Sequence, residues 1–432
     1  VSTDLSSRRC LVWDYGLFES CAAKLGESFG EVLYYVPWKG AYPGSNKLLI
    51  GEGVDNLTRV RDFFDHVDEA DLIYFPDLGD GDLQVYLREK GKRVWGSGKG
   101  ENLENFRWDT KLLMKKLGLP TAPAKLIVGI EALRDELKGR DNLWIKLSTF
   151  RADGETWHHL TWTLSEPRVA ELEWRLGAKA PHTEFIVEDD IPNAQEEGYD
   201  GWNIDGGFPS LAMLGYEIKG SGLIGRVMPY EKLPDTVKLV NKKLGPEMKR
   251  LGYRGNFSSE LRNGVLIDPC CRTPSPPGEL YPEMYENYAE CVWEGADGNL
   301  IDPIQKWKYG VEICVESDWS EKNWMAIHFP KEIEPFVKLR NYTKIDDVFY
   351  VLPMNEGPRV GAVIGLGNTL KEAVEQAITN AKQIEGFHIE CDIESVSKGI
   401  KTITDAEESG TYFTDENDDI PSIEDIAQAV EA

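Results

Sequence analysis

A chain of 432 residues is too long for one ordinary core and is expected to divide into two to four domains. With 41% apolar residues, 10% aromatics and 13 Trp, it has the composition of packed globular cores and not of a disordered protein. The formal net charge of -26, from 74 acidic against 48 basic residues, repels phosphate backbones. No basic patch offsets it (Lys242-Lys243 is a short run), so nucleic acid is not expected as the main partner.

The chain carries Cys10, Cys21, Cys270, Cys271, Cys291, Cys314 and Cys391, an odd number with no C-x-x-C and no zinc spacing. Reduced thiols in a cytoplasmic protein are the expectation. No apolar stretch approaches the roughly 20 residues of a membrane span, and VSTDLSSRRC lacks the apolar centre of a signal peptide.

Residues 9–100 alternate strand and helix patterns. CLVWDYG and EVLYYVPW read as strands, with a helix over Leu17–Leu25 between them. VDNLTRVRDFFDHVDEA reads as an amphipathic helix, DLIYFPD as a third strand, Leu83–Lys90 as a helix and RVWGSG as a fourth strand. Such a repeat predicts an open parallel sheet with ligands at the carboxyl ends of its strands. It contains no G-x-G-x-x-G, so nothing in it points to a dinucleotide.

ENLENFRWDTKLLMKKLGL (101–119) reads as one helix stopped by Pro120 and Pro123. Strand LIVGI, helix EALRDELKG, strand NLWIKLS, the polar loop TFRADGE and a helix near SEPRVAELEWRLG follow. Residues 183–228 read as several strands, and KLPDTVKLVNKKLGPEMKRLG as a helix. NFSSELR and VLID, separated by Asn263-Gly264, predict a two-residue hairpin. Strands near WMAIHF, VFYVLP and VGAVIGLG precede the helix TLKEAVEQAITNAKQI, and from Asp405 an acidic tail ends in the amphipathic piece PSIEDIAQAV.

Three groups of side chains carry chemical potential. Glu104, Arg107 and Lys111 are spaced by three and four, one face of a predicted helix, although a solvated charged face reads the same way. Lys146 interrupts an apolar strand, and a buried ammonium needs an anion such as a phosphate. The loop after it offers Arg151, Gly154 and Thr156 to cover phosphates; a lysine at a hairpin edge is the plainer reading. The Asn-Gly hairpin carries Glu260, Arg262 and Asp268, followed by Arg272 and the turn TPSPPGE. Two carboxylates with open positions suit Mg²⁺, and Arg272 is placed to stabilise charge on a transferred phosphoryl group; a surface ion-pair cluster is the alternative.

The order of these features resembles the ATP-grasp superfamily: helix Lys, strand Lys with a polar loop, the acidic strand IVEDD, then a carboxylate hairpin ending in Arg. More narrowly, LENFRWDTKLLMKKLGLPTAP, VLIDPCCRTPSPPGE and RVGAVIGLGNTLKEAVEQAITNAKQIEGFHIECDI are similar to the corresponding parts of phosphoribosylamine–glycine ligases, over roughly residues 70–393. The resemblance implies an α/β (α+β overall) chain. It divides into a Rossmann-like pre-ATP-grasp domain at 1–105, an ATP-grasp domain at 106–318, a small C-terminal α/β domain at 319–398 and an acidic tail at 399–432.

It also implies ATP and Mg²⁺ as cofactors, with Lys111, Lys146 and Arg151 at the phosphates. Glu188 would meet the adenine amino group, with Val187 and Asp190 at the adenine edge through their backbones. Glu197 (Asp200 second) would bind the ribose, Glu260 and Asp268 the metal, and Arg272 the acyl phosphate, with Arg272 and Lys146 catalytic. The family reaction phosphorylates a carboxylate, which an amine then attacks; the family serves purine biosynthesis. The expected partners are a small-molecule carboxylate, such as glycine or another amino acid, and an amine, with a modified nucleotide in range, no membrane, and a monomer or dimer.

The sequence departs from that family in three places. The first strand runs into WDYGLFES where the family has a glycine-rich loop ending in Arg-Glu-His, which leaves the amine open. The loop after Lys146 is poorer in Gly, and Cys270 stands at the place of a metal-binding Asn, where a thiol is a poor Mg²⁺ ligand. A nucleotide-binding protein without catalysis and an ATP-grasp phosphotransferase therefore stand beside the ligase as functional readings.

Overall fold

The computed structural model describes residues 3–37, 45–149, 156–192, 196–218, 220–353 and 357–408, with scattered positions from 410 to 429. The chain forms two compact units: 1–99, 198–258 and 270–432 make the first, and 100–197 with 259–269 the second.

The first unit opens on a parallel sheet of β1 (Arg9–Trp13), β2 (Glu31–Tyr35), β3 (Thr58–Arg59), β4 (Leu72–Tyr74) and β5 (Val94–Trp95), in the order β3-β2-β1-β4-β5. α1 (Glu19–Leu25) and α2 (Gly81–Glu89) follow β1 and β4, as the alternating pattern predicts. The expected helix over 54–70 is absent: the segment holds turns and the two-residue β3. Its polar side chains bind backbone instead. Arg59 Nε donates to the Ile50 carbonyl at 2.9 Å, and Asp62 Oδ1 accepts from the Phe64 amide at 2.8 Å, an Asx contact that competes with helix bonds.

The second unit begins with α3 (Asn102–Asn105) and α4 (Arg107–Lys116), which the sequence pattern presents as one helix. Phe106, at φ -112° and ψ 74°, breaks it, because Phe106 bridges Thr149 and the Arg107 amide donates to the Ser148 carbonyl. Glu104 is therefore not on the helix of Arg107 and Lys111. An antiparallel sheet follows in the order β6 (Ala124–Val128), β9 (Glu184–Asp189), β7 (Leu143–Leu147), β8 (Thr156–His159). α5 (Ile130–Lys138) and α6 (Trp162–Leu176) share a core with it: Leu133 and Leu137 from α5, Val169 from α6, and Leu143, Ile145, Phe185 and Val187 from the strands. Alternation along a strand sends the intervening residues to the opposite face.

The chain returns to the first unit through β10 (Glu196–Ile204), β11 (Leu211–Ile218), β12 (Gly222–Pro229) and α7 (Asp235–Arg250). β13 (Arg254–Arg262) and β14 (Val265–Cys270) carry it into the second unit and back, turning at Asn263 and Gly264 with φ of 50° and 73°. Two successive positive φ values are what a tight hairpin turn requires, and Asn-Gly accepts them at little cost. After α8 (Tyr281–Met284) and α9 (Tyr288–Ala296), β15 (Tyr309–Glu316) extends the sheet β13-β10-β11-β12-β15, which continues through the strands Arg359–Gly367 and Val337–Leu339.

α10 (Leu370–Ala381) starts with a capping box between Thr369 and Glu372. A Cβ at Gly365 would come within 2.2 Å of the Ala373 carbonyl, so that glycine lets the helix lie directly on its strand. α11 (Ser395–Glu408), which the sequence reading does not anticipate, buries Val396, Ile400, Ile403 and Ala406. No helix among the described residues is long and apolar enough to cross a membrane.

Candidate functional site

The second unit brings Lys111, Lys146, Glu188 and Asp268 into one cleft on the sheet face opposite its core. Because Leu143, Ile145 and Leu147 point into the core, Trp144 and Lys146 point out of it. In β9, Ile186 and Glu188 do the same, beside Lys146 and Trp144 in register. Lys146 is 3% exposed, and its ammonium is fully partnered. Nζ lies 2.9 Å from Asp268 Oδ2, 3.2 Å from the Ile267 carbonyl and 3.7 Å from Glu188 Oε2. Glu188 Oε1 in turn holds Lys111 Nζ at 2.6 Å, so one carboxylate bridges both lysines.

Burial by itself depresses the Lys146 pKa, but Asp268 first, then Glu188, with Glu260 beyond, more than offset it and leave the pKa raised. The cleft has about 30 Å³ of free volume, and Arg107, Thr110, Met114 and Thr121 complete its wall. Thr110, Met114 and Thr121 carry no charge and escape a search for reactive groups. The spacing 107, 110, 111, 114 is nonetheless one helical stripe, a signal present in the sequence.

The other expected residues sit as follows. Glu260 Oε1 lies 3.3 Å from Arg262 Nη2, an ion pair without hydrogen-bond geometry, so this buried oxygen has no hydrogen-bond partner among the described residues. Arg262 in turn stands 5.6 Å from the Trp144 ring centre, at cation–π distance. Val187 faces the core, while its backbone lies in the ladder opposite Lys125 and Ile145. Asp190 accepts from Trp144 Nε1 at 2.8 Å and from Asn142 at 3.3 Å. Glu197 is half-buried at the start of β10. Thr156 lies opposite Lys146 across the β7–β8 ladder. Arg151 and Gly154, with most of the expected phosphate loop, lie outside the described residues.

Two candidates belong to the first unit. Arg272 Nε stands 3.8 Å from Asp77 Oδ1, with both side chains largely covered. Asp200 is buried, with Tyr281 Oη 3.3 Å from Oδ1, and burial raises its pKa to about 7 against the opposing hydrogen bonds of Ser258 and Tyr281. A carboxyl in that environment belongs to the interior and is poorly suited to meet a ribose.

Among the described residues no group of three or more His, Cys, Asp or Glu is arranged to hold a metal unaided. Asp268 and Glu260 are nonetheless oxygen donors, and one Glu260 oxygen is buried without a hydrogen-bond partner among the described residues. This donor set fits Mg²⁺, which takes one or two carboxylates and fills its shell with water and phosphate.

This architecture, with a parallel N-terminal sheet and a lysine–carboxylate cleft on a separate antiparallel sheet, is the ATP-grasp fold. The solved structures it resembles include phosphoribosylamine–glycine ligase from Thermotoga maritima, at 18% identity over 89% of this chain and 98% of that one, with a TM-score of 0.63. They also include the biotin carboxylase domain of Hydrogenobacter thermophilus 2-oxoglutarate carboxylase, in complex with MgADP, ADP and bicarbonate, at 13% identity, 94% and 96% coverage and a TM-score of 0.62. A third is N5-carboxyaminoimidazole ribonucleotide synthetase from Thermotoga maritima, at 13% identity, 88% and 99% coverage and a TM-score of 0.56. No protein-family model and no curated protein sequence matches the chain.

Proposed function

We propose that the protein is an ATP- and Mg²⁺-dependent ligase that joins a small carboxylate to an amine through an acyl phosphate. The observation that carries this reading is the bridge Lys111–Glu188–Lys146–Asp268, built on the outward face of the second unit's sheet. Two lysines held mainly by carboxylates, with the Ile267 carbonyl also on Lys146, form a site that a polyphosphate can enter by exchange: phosphate oxygens take over the ammoniums, and Asp268 and Glu188 are freed for other partners. Asp268 and Glu260 would then hold Mg²⁺, which supplies charge neutralisation between the phosphates. Glu188, released from Lys111, would accept from the adenine amino group.

Arg272 would balance charge on the transferred phosphoryl group, with Asp77 orienting its guanidinium. Arg151, Val187, Asp190 and Glu197 keep their nucleotide roles within this reading, as does the division at 105, 318 and 398. The biotin carboxylase neighbour was solved in complex with MgADP, which supports ATP and Mg²⁺ here. The amine is the open half, because the glycine-rich ribose-phosphate loop of glycine ligases is replaced by WDYGLFES. An amino acid or a modified nucleotide is the amine class this reading favours.

Release of ADP that requires both a carboxylate and an amine, screened over amino acids and small amines, tests the proposal. A panel in which no carboxylate elicits ADP refutes it. Cys270 supports a second reading, a nucleotide-binding protein without turnover, since a thiol replaces an oxygen donor beside the hairpin. ATP binding without ADP release, unchanged in Cys270→Asn, distinguishes that outcome.

A further inference from the structure

The first unit buries a group of charges that no step of the nucleotide reading uses. Its members are Glu279 from the turn after Arg272, Glu312 from β15, Arg340, and Arg359 at the start of the strand Arg359–Gly367. Glu312 stands inside a sheet, in register with Leu223 on one side and Ile364 on the other. A carboxylate is costly to bury there, and an apolar side chain of similar size packs as well without that cost. Glu312, Glu279 and Arg340 are 0%, 2% and 9% exposed, and the group reaches solvent at Arg359, whose side chain is 20% exposed.

Each acid meets one arginine and spends only part of its hydrogen-bonding capacity in doing so. Glu312 Oε1 lies 3.2 Å from Arg359 Nη2, and Glu279 Oε1 lies 3.3 Å from Arg340 Nη2. Ser275 joins the two pairs: its hydroxyl donates to Glu279 Oε1 at 2.5 Å, and its carbonyl accepts from Arg359 Nη1 at 3.4 Å. Left over are Oε2 of both glutamates and Nε of both arginines, four buried atoms without a hydrogen-bond partner among the described residues. Buried polar groups are normally satisfied, so two spare acceptors and two spare donors in one cluster call for a partner that offers both.

The formal charges of the two pairs balance, so neither a plain anion nor a plain cation is selected by net charge. A zwitterion suits such a cluster, because it adds no net charge and brings one acceptor group and one donor group. Burial first, and Glu279 beside it, push the Glu312 carboxyl well above its ordinary pKa against the pull of Arg359 and Arg340. A positive charge brought to Glu312 favours its carboxylate form, which suits an ammonium at that end. The field of a third acid, Glu217, reaches both Glu312 and Arg359 and disfavours a further negative charge on the ligand.

We propose that this cluster binds an α-amino acid with an uncharged side chain, its carboxylate on Nε of Arg340 and Arg359 and its ammonium on Oε2 of Glu279 and Glu312. The use of that amino acid as the amine rests on the ligase reading; its binding does not.

Isothermal titration calorimetry of the full chain without nucleotide tests the assignment, with glycine, L-alanine, L-serine and L-leucine as probes and L-aspartate as the acidic control. One saturable site is expected for at least one of the neutral amino acids, with L-aspartate weaker. The N-acetyl derivative of that amino acid lacks the ammonium, and its amide lacks the carboxylate. Each should bind at least about tenfold more weakly, because each leaves buried charges unpaired. Glu312→Gln keeps the shape of the carboxyl without its charge, so it should retain the melting temperature and weaken binding about tenfold or more. Arg359→Lys, at the most exposed member, keeps the charge but removes Nε and should weaken binding likewise. Silence from all the neutral amino acids at millimolar concentration overturns the proposal. So does a derivative that binds as tightly as its parent, binding that Glu312→Gln leaves unchanged, or tighter binding of L-aspartate. ADP release separates the two readings. Amino-acid binding without ADP release keeps the site and refutes the ligase, whereas ADP release without amino-acid binding keeps the ligase and refutes the site.

Discussion

At the scale of single residues, Lys146 is the buried charge on which the proposed site turns. An ammonium that is 3% exposed is tolerated only while its carboxylates remain, and removing one member of such a set strands the others. Lys146→Met is therefore expected to lower ADP release by about two orders of magnitude or more. Asp268→Asn, which keeps shape but loses charge, should do the same while changing the melting temperature less. Near-wild-type turnover in either variant removes that residue from the machinery.

Asp200 yields a prediction of a different kind. Its pKa is raised by burial to about 7, so its contribution to stability is complete below about 3.8 and is lost as pH rises through 7. Asp200→Asn cannot suffer that loss. Its stability relative to the wild type should therefore rise between pH 4 and pH 8, by a few kcal/mol at most at about 1.4 kcal/mol per pKa unit. Urea denaturation at both pH values reads this directly, and a difference independent of pH would show that Asp200 titrates normally.

At the scale of elements, legibility follows how local the determining forces are. The Asn263-Gly264 hairpin was readable because its positive φ values select those two residues with no outside help. The capping box of α10 was equally local. The pattern over 54–70 misled because Arg59 and Asp62 spend their side chains on nearby backbone, a competition that periodicity does not register. The continuous helix over 101–119 failed for a tertiary reason: Phe106 and Arg107 pair with Ser148 and Thr149, some forty residues onward.

The acidic tail shows how composition understates docking. Asp415 and Asp418 sit 2.6 Å and 2.5 Å from Lys308 Nζ, Arg226 also pairs with Asp415, and Phe413 is fully buried against Tyr216 and Tyr309. The Lys308 hydrogen bond, with help from Arg226, holds the Asp415 pKa down at about 2. This contribution is present above about 3.8 and is lost as pH falls toward 2. Lys308→Ala should accelerate proteolysis between 409 and 420 several-fold at neutral pH while leaving the main unfolding transition nearly in place, because the aspartates are partly exposed and screened. Equal cleavage rates in the variant and the wild type would mean that Lys308 does not secure the segment.

At the scale of the whole molecule, the order of motifs was legible but their assembly was not. Lys146 and Asp268 are 122 residues apart, and the second unit is completed by Ser259–Pro269, a segment that follows α7 along the chain. No local pattern encodes such a return, which adds the Asp268 carboxylate to the Glu188 carboxylate already beside the buried Lys146. If the cleft binds nucleotide, the stabilisation must fall on that discontinuous unit. A ligand at a hundred times its dissociation constant adds about 2.7 kcal/mol to whatever opens with its site. A non-hydrolysable ATP analogue with Mg²⁺ should therefore slow amide exchange roughly a hundredfold in β7, β9 and the hairpin tip Ser259–Pro269 together, as far as those amides exchange by opening of this unit. Exchange in β1 and β2 should be little affected. Lys146→Met should erase the protection at all three places at once. Protection confined to one of them, or spread evenly over the chain, would show that Lys111, Lys146, Glu188 and Asp268 do not act as a single nucleotide site.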